Sequence, residues 1–141
     1  MAGLTLLIAL QQALLAADPA SYEVAFKDAQ TRNRPLMVLI GAPWCPGCQT
    51  MKNRLLPEMA RQGRLDSVSY ATINADAESE LASQLMRGSG IPQLIIFSKK
   101  ADGQWHREQI TGEADEKGVE KLIARALSAH EPTMQTAGGG N

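Results

Sequence analysis

The 141-residue sequence has few cysteines, few aromatic residues and no excess of charge of either sign. Its two cysteines are close together in the chain, which excludes the long-range bridges of a disulfide-stabilised scaffold. Aromatic residues make up 4% of the chain and the formal net charge is −1, so nothing favours nucleic acid or an acidic membrane as a partner. The apolar content of 44% is ordinary for a globular protein, and the length suits one domain.

The sequence also lacks an apolar run of the ~20 residues that a membrane-spanning helix needs. Residues 4–17 come nearest, with three polar interruptions and the small residues Ala16 and Ala17 at the end. This pattern is typical of a secretory signal and favours export to the periplasm or beyond. Because no basic residue precedes Lys27, an extra N-terminal helix, a membrane-facing anchor and a cytoplasmic location remain open.

Both cysteines belong to one Cys-X-X-Cys unit, Cys45 to Cys48, which follows Trp44. The apolar run 35–41 is typical of a buried central strand, so the motif would open the helix that follows that strand. A helix N-terminus carries partial positive charge and free N–H groups, which favour a thiolate at Cys45. Two intervening residues let the second sulfur reach the first. The motif therefore predicts a dithiol redox pair that uses no organic cofactor and no metal.

The remaining patterns predict an α/β fold. Strands are expected over 35–41, 67–73, 93–98 and 105–111, and helices over 19–33, after the motif, over 77–86 and over 115–130. The strand–helix–strand order implies a parallel pair, and the turn residues between the last two strands imply an antiparallel hairpin. We therefore expect a central mixed sheet of about four strands with helices on both faces.

Local signals suggest where some of these elements begin and end. Asp18 is a favourable N-cap for the first helix, with Pro19 at its first position. Pro57 must kink the helix after the motif or start a second one. The chain then divides into an apolar N-terminal segment (1–17), one domain (18–130) and a disordered tail (131–141).

This order of elements, with Trp44 and Cys45 after the first core strand, resembles the thioredoxin superfamily. Gly90-Ile91-Pro92, directly before an apolar strand, is similar to the cis-proline loop that lies beside that family's active-site disulfide. Residues 21–26 and 33–35 resemble bacterial exported thioredoxin-like domains of the disulfide-interchange type. The resemblance implies a thioredoxin-like fold over about residues 19–130 and a thiol–disulfide oxidoreductase activity.

The resemblance also implies roles for individual residues. Cys45 would be the attacking, partly exposed thiolate, and Cys48 the more buried thiol that resolves the mixed disulfide. Pro92 would shape a docking groove, and the backbone of Ile91 would pair with the bound segment as a short added strand. Trp44 would shield the disulfide and offer a flat apolar contact.

The two inner residues of the motif, Pro46 and Gly47, complete the implied substrate-binding set. The implied partners are protein thiols and disulfides, together with a protein that donates or accepts electrons. We expect a monomer that acts more as a reductant than as an oxidant.

Several positions depart from ordinary thioredoxins. Leu39 stands where that family usually has a buried aspartate, and Thr72 lies near the position of the lysine paired with it. Gly41 replaces a common aromatic residue, and Pro46-Gly47 reverses the usual Gly-Pro order. Proton transfer at Cys48 must therefore use water or another group.

Two other interpretations of the motif remain open. A Cys-X-X-Cys unit can be half of a zinc site, which needs four ligands, and His106 and His130 are the available histidines. The same fold could also be a non-catalytic binding module that holds a partner beside Trp44. Asp76 and Glu78 follow a strand and are expected to be solvated, without a catalytic role.

Overall fold

The computed structural model describes residues 21–130 of the protein. In chain order the elements are α1 (Tyr22–Arg32), β1 (Leu36–Gly41), α2 (Pro46–Thr50), a π-helical turn (Met51–Leu55), α3 (Leu56–Arg61), β2 (Ser69–Asn74), α4 (Ser79–Leu85), β3 (Gln93–Lys99), β4 (Trp105–Thr111) and α5 (Glu116–Ala129). The predicted apolar segment 1–17 and the predicted tail 131–141 lie outside the described residues.

The four strands form one mixed sheet in the order β2-β1-β3-β4. β1 pairs with β2 in parallel and with β3 antiparallel, and β3 and β4 form the antiparallel hairpin. All six residues of β1 are buried, as expected for a strand with neighbours on both edges and helices on both faces. The predicted fold class is therefore confirmed.

The alternating side chains of β1 divide the core into two apolar clusters. Met37 and Leu39 point to one face of the sheet, and Val38 and Ile40 point to the other. The first cluster is completed by residues of the π-helical turn, α3 and α5, namely Met51, Leu56, Met59, Val119, Leu122, Ile123 and Ala126. The second is completed by Ala25 and Ala29 of α1 and Ala82 of α4.

The first helix begins later than the sequence predicted. Ser21 is its N-cap, with an extended backbone and a side chain that accepts a hydrogen bond from the Val24 N–H at 3.4 Å. The prediction of a start at Pro19 was wrong because Ser21 is an equally good capping residue. The helix ends at Asn33, whose left-handed backbone (φ 49°) is a conformation that asparagine tolerates.

Pro57 divides the helix that follows the cysteines, as predicted. It lies in the first turn of α3, where the missing N–H of proline costs no hydrogen bond. The Leu56 N–H donates to the Met51 carbonyl, five residues back, so the chain passes into α3 through a wider turn. Pro57 therefore lies at the start of a second α-helix, which follows the motif helix and the π-helical turn without an intervening loop.

Within residues 21–130, no helix combines the length and the apolar character needed to cross a membrane.

Candidate active site

The two cysteines are joined as a disulfide in the first turn of α2. Cys45 is the N-cap, Pro46 follows at the first helical position, and the Cys45 and Cys48 Cα atoms are 5.2 Å apart. The Cys48 N–H donates to the Cys45 Sγ at 3.3 Å. This N–H and the positive end of the helix both favour negative charge on Cys45 when the disulfide is open.

The exposed fractions of Cys45 and Cys48 differ less than expected. Cys45 is 7% exposed and Cys48 is 2% exposed, so the order agrees with the sequence analysis. The expectation of a partly exposed Cys45 was wrong, because the disulfide and the Cys48 N–H draw its sulfur into the first helical turn. Little of Cys45 is therefore in contact with solvent while the disulfide is closed.

The Gly90-Ile91-Pro92 loop lies against the motif. The Ile91–Pro92 peptide bond is cis, as the sequence predicted. A side chain built on Gly47 would have its Cβ 3.7 Å from the Pro92 Cδ, so these two residues are neighbours across the site. Pro92 is buried and Ile91 is half-buried. Neither the N–H nor the C=O of Ile91 has a hydrogen-bond partner among residues 21–130.

Gln93, a residue that the sequence analysis missed, holds this loop from inside. Its side chain is fully buried and donates from Nε2 to the carbonyls of Arg87 (3.0 Å), Gly88 (3.2 Å) and Gly90 (2.9 Å). Its Oε1 accepts from the Arg87 N–H at 3.2 Å. A glutamine within an apolar strand is the signal that could have identified it, because a buried amide requires hydrogen-bond partners.

Trp44 lies at the outer edge of the site. Its side chain is 69% exposed, and its Nε1–H donates to the Asp76 carboxylate at 3.0 Å. The Asp76 N–H in turn donates to the Asn74 side chain at 3.0 Å. Asp76 is exposed, as expected, but it also fixes the orientation of the indole, a contact that the sequence analysis did not foresee.

Glu113 brings a second carboxylate to the motif. Its Oε2 lies 3.1 Å from the position that a Cβ on Gly47 would occupy. It follows Gly112, whose positive φ of 100° turns the chain back toward the site after β4. Glu113 was not predicted, because it lies far from the cysteines in sequence.

Cys48 is closely packed against β1 on its other side. A Cβ on Gly41 would lie 2.7 Å from the Cys48 Cβ and 2.9 Å from its Sγ, so no larger residue fits there without moving Cys48. Beside them is a cavity of about 40 Å³, lined by Leu39, Thr72 and Lys52 among others. Three of the positions that differ from ordinary thioredoxins, Leu39, Gly41 and Thr72, therefore line the same cavity as Cys48.

The two histidines are engaged elsewhere. The His106 Nε2 is 2.8 Å from the Glu108 carboxylate. The ring of His130 accepts from the Lys99 N–H at 3.2 Å and lies 2.8 Å from the Asn33 carbonyl. Across residues 21–130, no three His, Cys, Asp or Glu side chains are grouped so that they could hold a metal ion.

Comparison with known proteins gives consistent matches. Residues 17–99 match the sequence profile of a family described as thioredoxin-like. The thiol:disulfide interchange protein DsbD 1 of Pseudomonas aeruginosa is 22% identical over 112 residues, 78% of this chain. The thiol:disulfide interchange protein TxlA of Synechococcus elongatus is 29% identical over 93 residues, 65% of this chain. The chain spans 19% and 46% of the lengths of these relatives, respectively.

Solved structures agree with the sequence matches. A thioredoxin from Thermus thermophilus superposes with a TM-score of 0.60 and 26% identity, over 76% of this chain and 84% of that one. The predicted resemblance to disulfide-interchange domains is also confirmed by the DsbD and TxlA matches. Because the family profile covers more than half of the chain, the protein belongs to the thioredoxin-like family.

Proposed function

We propose that this protein is a thiol–disulfide oxidoreductase in which Cys45 and Cys48 exchange disulfides with protein substrates, acting as a reductant. The observation that supports this most directly is the Cys45–Cys48 pair itself. It is closed as a disulfide in the first turn of a helix, with the Cys48 N–H directed at the Cys45 Sγ. The N–H donor and the helix end stabilise the Cys45 thiolate, which is the attacking species in disulfide exchange.

The proposed cycle moves two electrons to the substrate in two exchanges. The Cys45 thiolate attacks one sulfur of a substrate disulfide, a mixed disulfide forms, and the other substrate sulfur leaves as a thiolate that takes a proton from water. The Cys48 thiol then loses its proton and attacks the Cys45 sulfur, which releases the second substrate thiol. A partner dithiol reopens the Cys45–Cys48 disulfide by the same steps in reverse.

The loop before β3 gives this chemistry a docking place. The N–H and C=O of Ile91 lie next to Pro92 and have no partner among the described residues, so they can pair with an extended substrate segment. Trp44 offers a flat apolar contact whose orientation Asp76 fixes. Pro46 is exposed beside Cys45, and the absence of a side chain at Gly47 leaves room beside Pro92, so both residues can contact a bound segment.

The reduction potential of the Cys45–Cys48 pair tests the function and its direction together. It is measured by equilibration with glutathione buffers, followed by thiol trapping and by the fluorescence of Trp44 in a Trp105→Phe background. A value near ~−270 mV supports a reductant, and a value near ~−120 to −180 mV indicates an oxidant or an isomerase. Failure to form the disulfide at any glutathione ratio would exclude the oxidoreductase function.

A variant that lacks both thiols but keeps the docking surface distinguishes an oxidoreductase from a binding module. In a Cys45→Ser, Cys48→Ser variant, exchange with insulin should disappear, while the groove around Trp44 and Pro92 remains. If the variant restores the cellular function of a deletion strain, the protein acts by binding and the redox proposal is wrong.

Export is proposed on the apolar segment 4–17 alone, since this pattern is typical of a secretory signal. The mass of the protein purified from its native cell tests it. Loss of roughly the first 16–20 residues supports export, and an intact N-terminus contradicts a cleaved signal.

A further inference from the structure

The inner side of Cys48 borders a cavity of about 40 Å³. Its walls come from β1 (Leu39, Gly41), from β2 (Thr72) and from the π-helical turn (Lys52). A buried water molecule needs roughly 10–15 Å³ and two to four polar partners, so the cavity has room for water beside the sulfur. Gly41 keeps this side open, because any larger residue would strike the Cys48 side chain.

Cys48 has to change its protonation state in every cycle while it is 2% exposed. Burial disfavours the charged form of a thiol, so an unassisted Cys48 would resolve the mixed disulfide slowly at neutral pH. None of the residues that line the cavity is a carboxylate. Leu39, which lines the cavity from β1, has an apolar side chain that can neither accept nor donate a proton.

The polar residues of the cavity wall differ in whether their hydrogen bonds are already used. The Gln49 amide donates to the Ala42 carbonyl at 3.2 Å and accepts from Asn53 at 2.9 Å. The Asn74 side chain accepts from the Asp76 N–H at 3.0 Å. In contrast, the hydroxyl of the half-buried Thr72 and the ammonium of Lys52, an exposed residue at the edge of the cavity, have no hydrogen bond or ion pair with any of residues 21–130.

We propose that this cavity is the proton route of Cys48, and that the Lys52 ammonium stabilises the Cys48 thiolate from its wall. The proposal rests on the oxidoreductase function described above. In the resolving step, the Cys48 proton passes to water held by the Thr72 hydroxyl and leaves through the cavity. The resulting thiolate attacks the Cys45 sulfur, and the mixed disulfide breaks. When a donor thiolate attacks Cys45 in the opposite direction, the electron pair of the Cys45–Cys48 bond moves to Cys48, and water returns the proton.

The other charged groups near the motif do not face this cavity. The Glu113 carboxylate lies at Gly47 and Pro92, and the Asp76 carboxylate is bound to the Trp44 indole. β1 and β2 contribute only uncharged side chains to the cavity wall. Besides Cys48 itself, Lys52 is therefore the titratable residue that lines this cavity in the described part of the chain.

The test separates the two chemical steps in one experiment. The reduced protein is mixed with the chromogenic aromatic disulfide DTNB in a stopped-flow instrument over a range of pH. The first coloured thiolate reports attack by Cys45, and the second reports resolution by Cys48. The variants are Lys52→Met, Lys52→Arg and, as a matched control, Arg54→Met, which removes an exposed cation of the same π-helical turn that does not line the cavity.

For Lys52→Met we expect the pH profile of the second phase to move upward by about half a unit, roughly threefold slower at neutral pH, because a stabilising charge is lost. The first phase should change less, Lys52→Arg should restore the second phase, and Arg54→Met should leave both unchanged. The inference is wrong if the second-phase pH profile of Lys52→Met superimposes on that of the parent protein, or if Arg54→Met shifts this profile as far. Neither result would contradict the proposed disulfide exchange. If the parent protein gives neither phase, the proposed function fails, and this inference fails with it.

Discussion

Gly41 shows how one residue type sets the geometry around a reacting sulfur. Its backbone is not in the left-handed region, so glycine is not required there for its conformational freedom. It is required because a Cβ would lie 2.7 Å from the Cys48 Cβ. The same missing side chain leaves the cavity beside Cys48 open, so packing and chemistry depend on one position.

We therefore expect Gly41→Ala to lower the free energy of unfolding by about 1–3 kcal/mol, the usual cost of overpacking a tight core. Chemical denaturation of the oxidised protein measures this loss. Gly47→Ala is the matched control, because its Cβ would meet the Glu113 carboxylate at 3.1 Å, the movable end of a flexible side chain. Equal losses in the two variants would show that Cys48 moves freely and that Gly41 does not constrain it.

At the scale of elements, the loop between α4 and β3 is held by a side chain of the strand that follows it. The Gln93 amide makes four hydrogen bonds to the backbone of Arg87, Gly88 and Gly90. These bonds satisfy the inward-facing groups of the loop, and the Ile91 backbone has no partner among residues 21–130. The loop is therefore fixed by contacts within the protein that do not use the backbone of Ile91, the residue proposed to pair with a substrate.

We predict that Gln93→Met weakens the docking of protein substrates more than the chemistry of the cysteines. Removing the amide leaves buried backbone groups without partners, at a cost of about 1–3 kcal/mol that a mobile loop can partly avoid. The KM for insulin reduction should rise while the rate with the small disulfide DTNB stays close to that of the parent protein, since DTNB needs no pairing with Ile91.

The control for Gln93 is Gln109→Met, which removes a more exposed hydrogen bond of 3.3 Å to the same Arg87 carbonyl, together with side-chain contacts to Arg107 and Thr111. We expect its KM to match that of the parent. If Gln93→Met lowers both rates equally, the glutamine supports the whole site. If it changes neither, the loop is held by other contacts.

Across the whole molecule, the sequence predicted those elements and motifs that are encoded by neighbouring residues in the chain. The unbroken apolar run from Leu36 to Gly41 identified the central strand, and the Cys-X-X-Cys unit and Gly-Ile-Pro loop identified the two sides of the site. It did not predict contacts between distant parts of the chain, such as Trp44 with Asp76. No local pattern carries this information, because the contact exists only after β1 and β2 have paired. The start of α1 was predicted at the wrong residue for a different reason. Asp18 and Ser21 are both suitable N-caps, and the sequence does not show which one is used.

A network that joins α1 to β2 gives the fold one of its pH-sensitive contacts. The Asp28 carboxylate accepts from the Ser69 hydroxyl at 2.6 Å and from Arg34 at 2.7 Å, and it also pairs with Arg32 at 3.0 Å. The hydrogen bond from Ser69, followed by that from Arg34, lowers the pKa of Asp28 below its ordinary value. Arg34 also donates to the Asp66 carbonyl at 2.7 Å, so the network includes the loop before β2.

Because the pKa of Asp28 is lower in the folded protein than in the unfolded chain, its stabilising effect is present above the ordinary pKa of about 3.8. That effect is lost as the pH falls through the lowered value.

We expect Asp28→Asn to lower the free energy of unfolding by about 1 kcal/mol at neutral pH. This loss is modest because solvent screens a carboxylate with 31% of its side chain exposed. The cost should shrink toward zero in acid, so the variant's denaturation midpoint should depend less on pH. Glu58→Gln is the control: the pKa of Glu58 is also lowered, chiefly by its hydrogen bond to Arg61, but this exposed pair lies within one helix and joins no two elements. A cost for Asp28→Asn that persists unchanged in acid would show that the carboxylate's charge is not what joins α1 to the sheet.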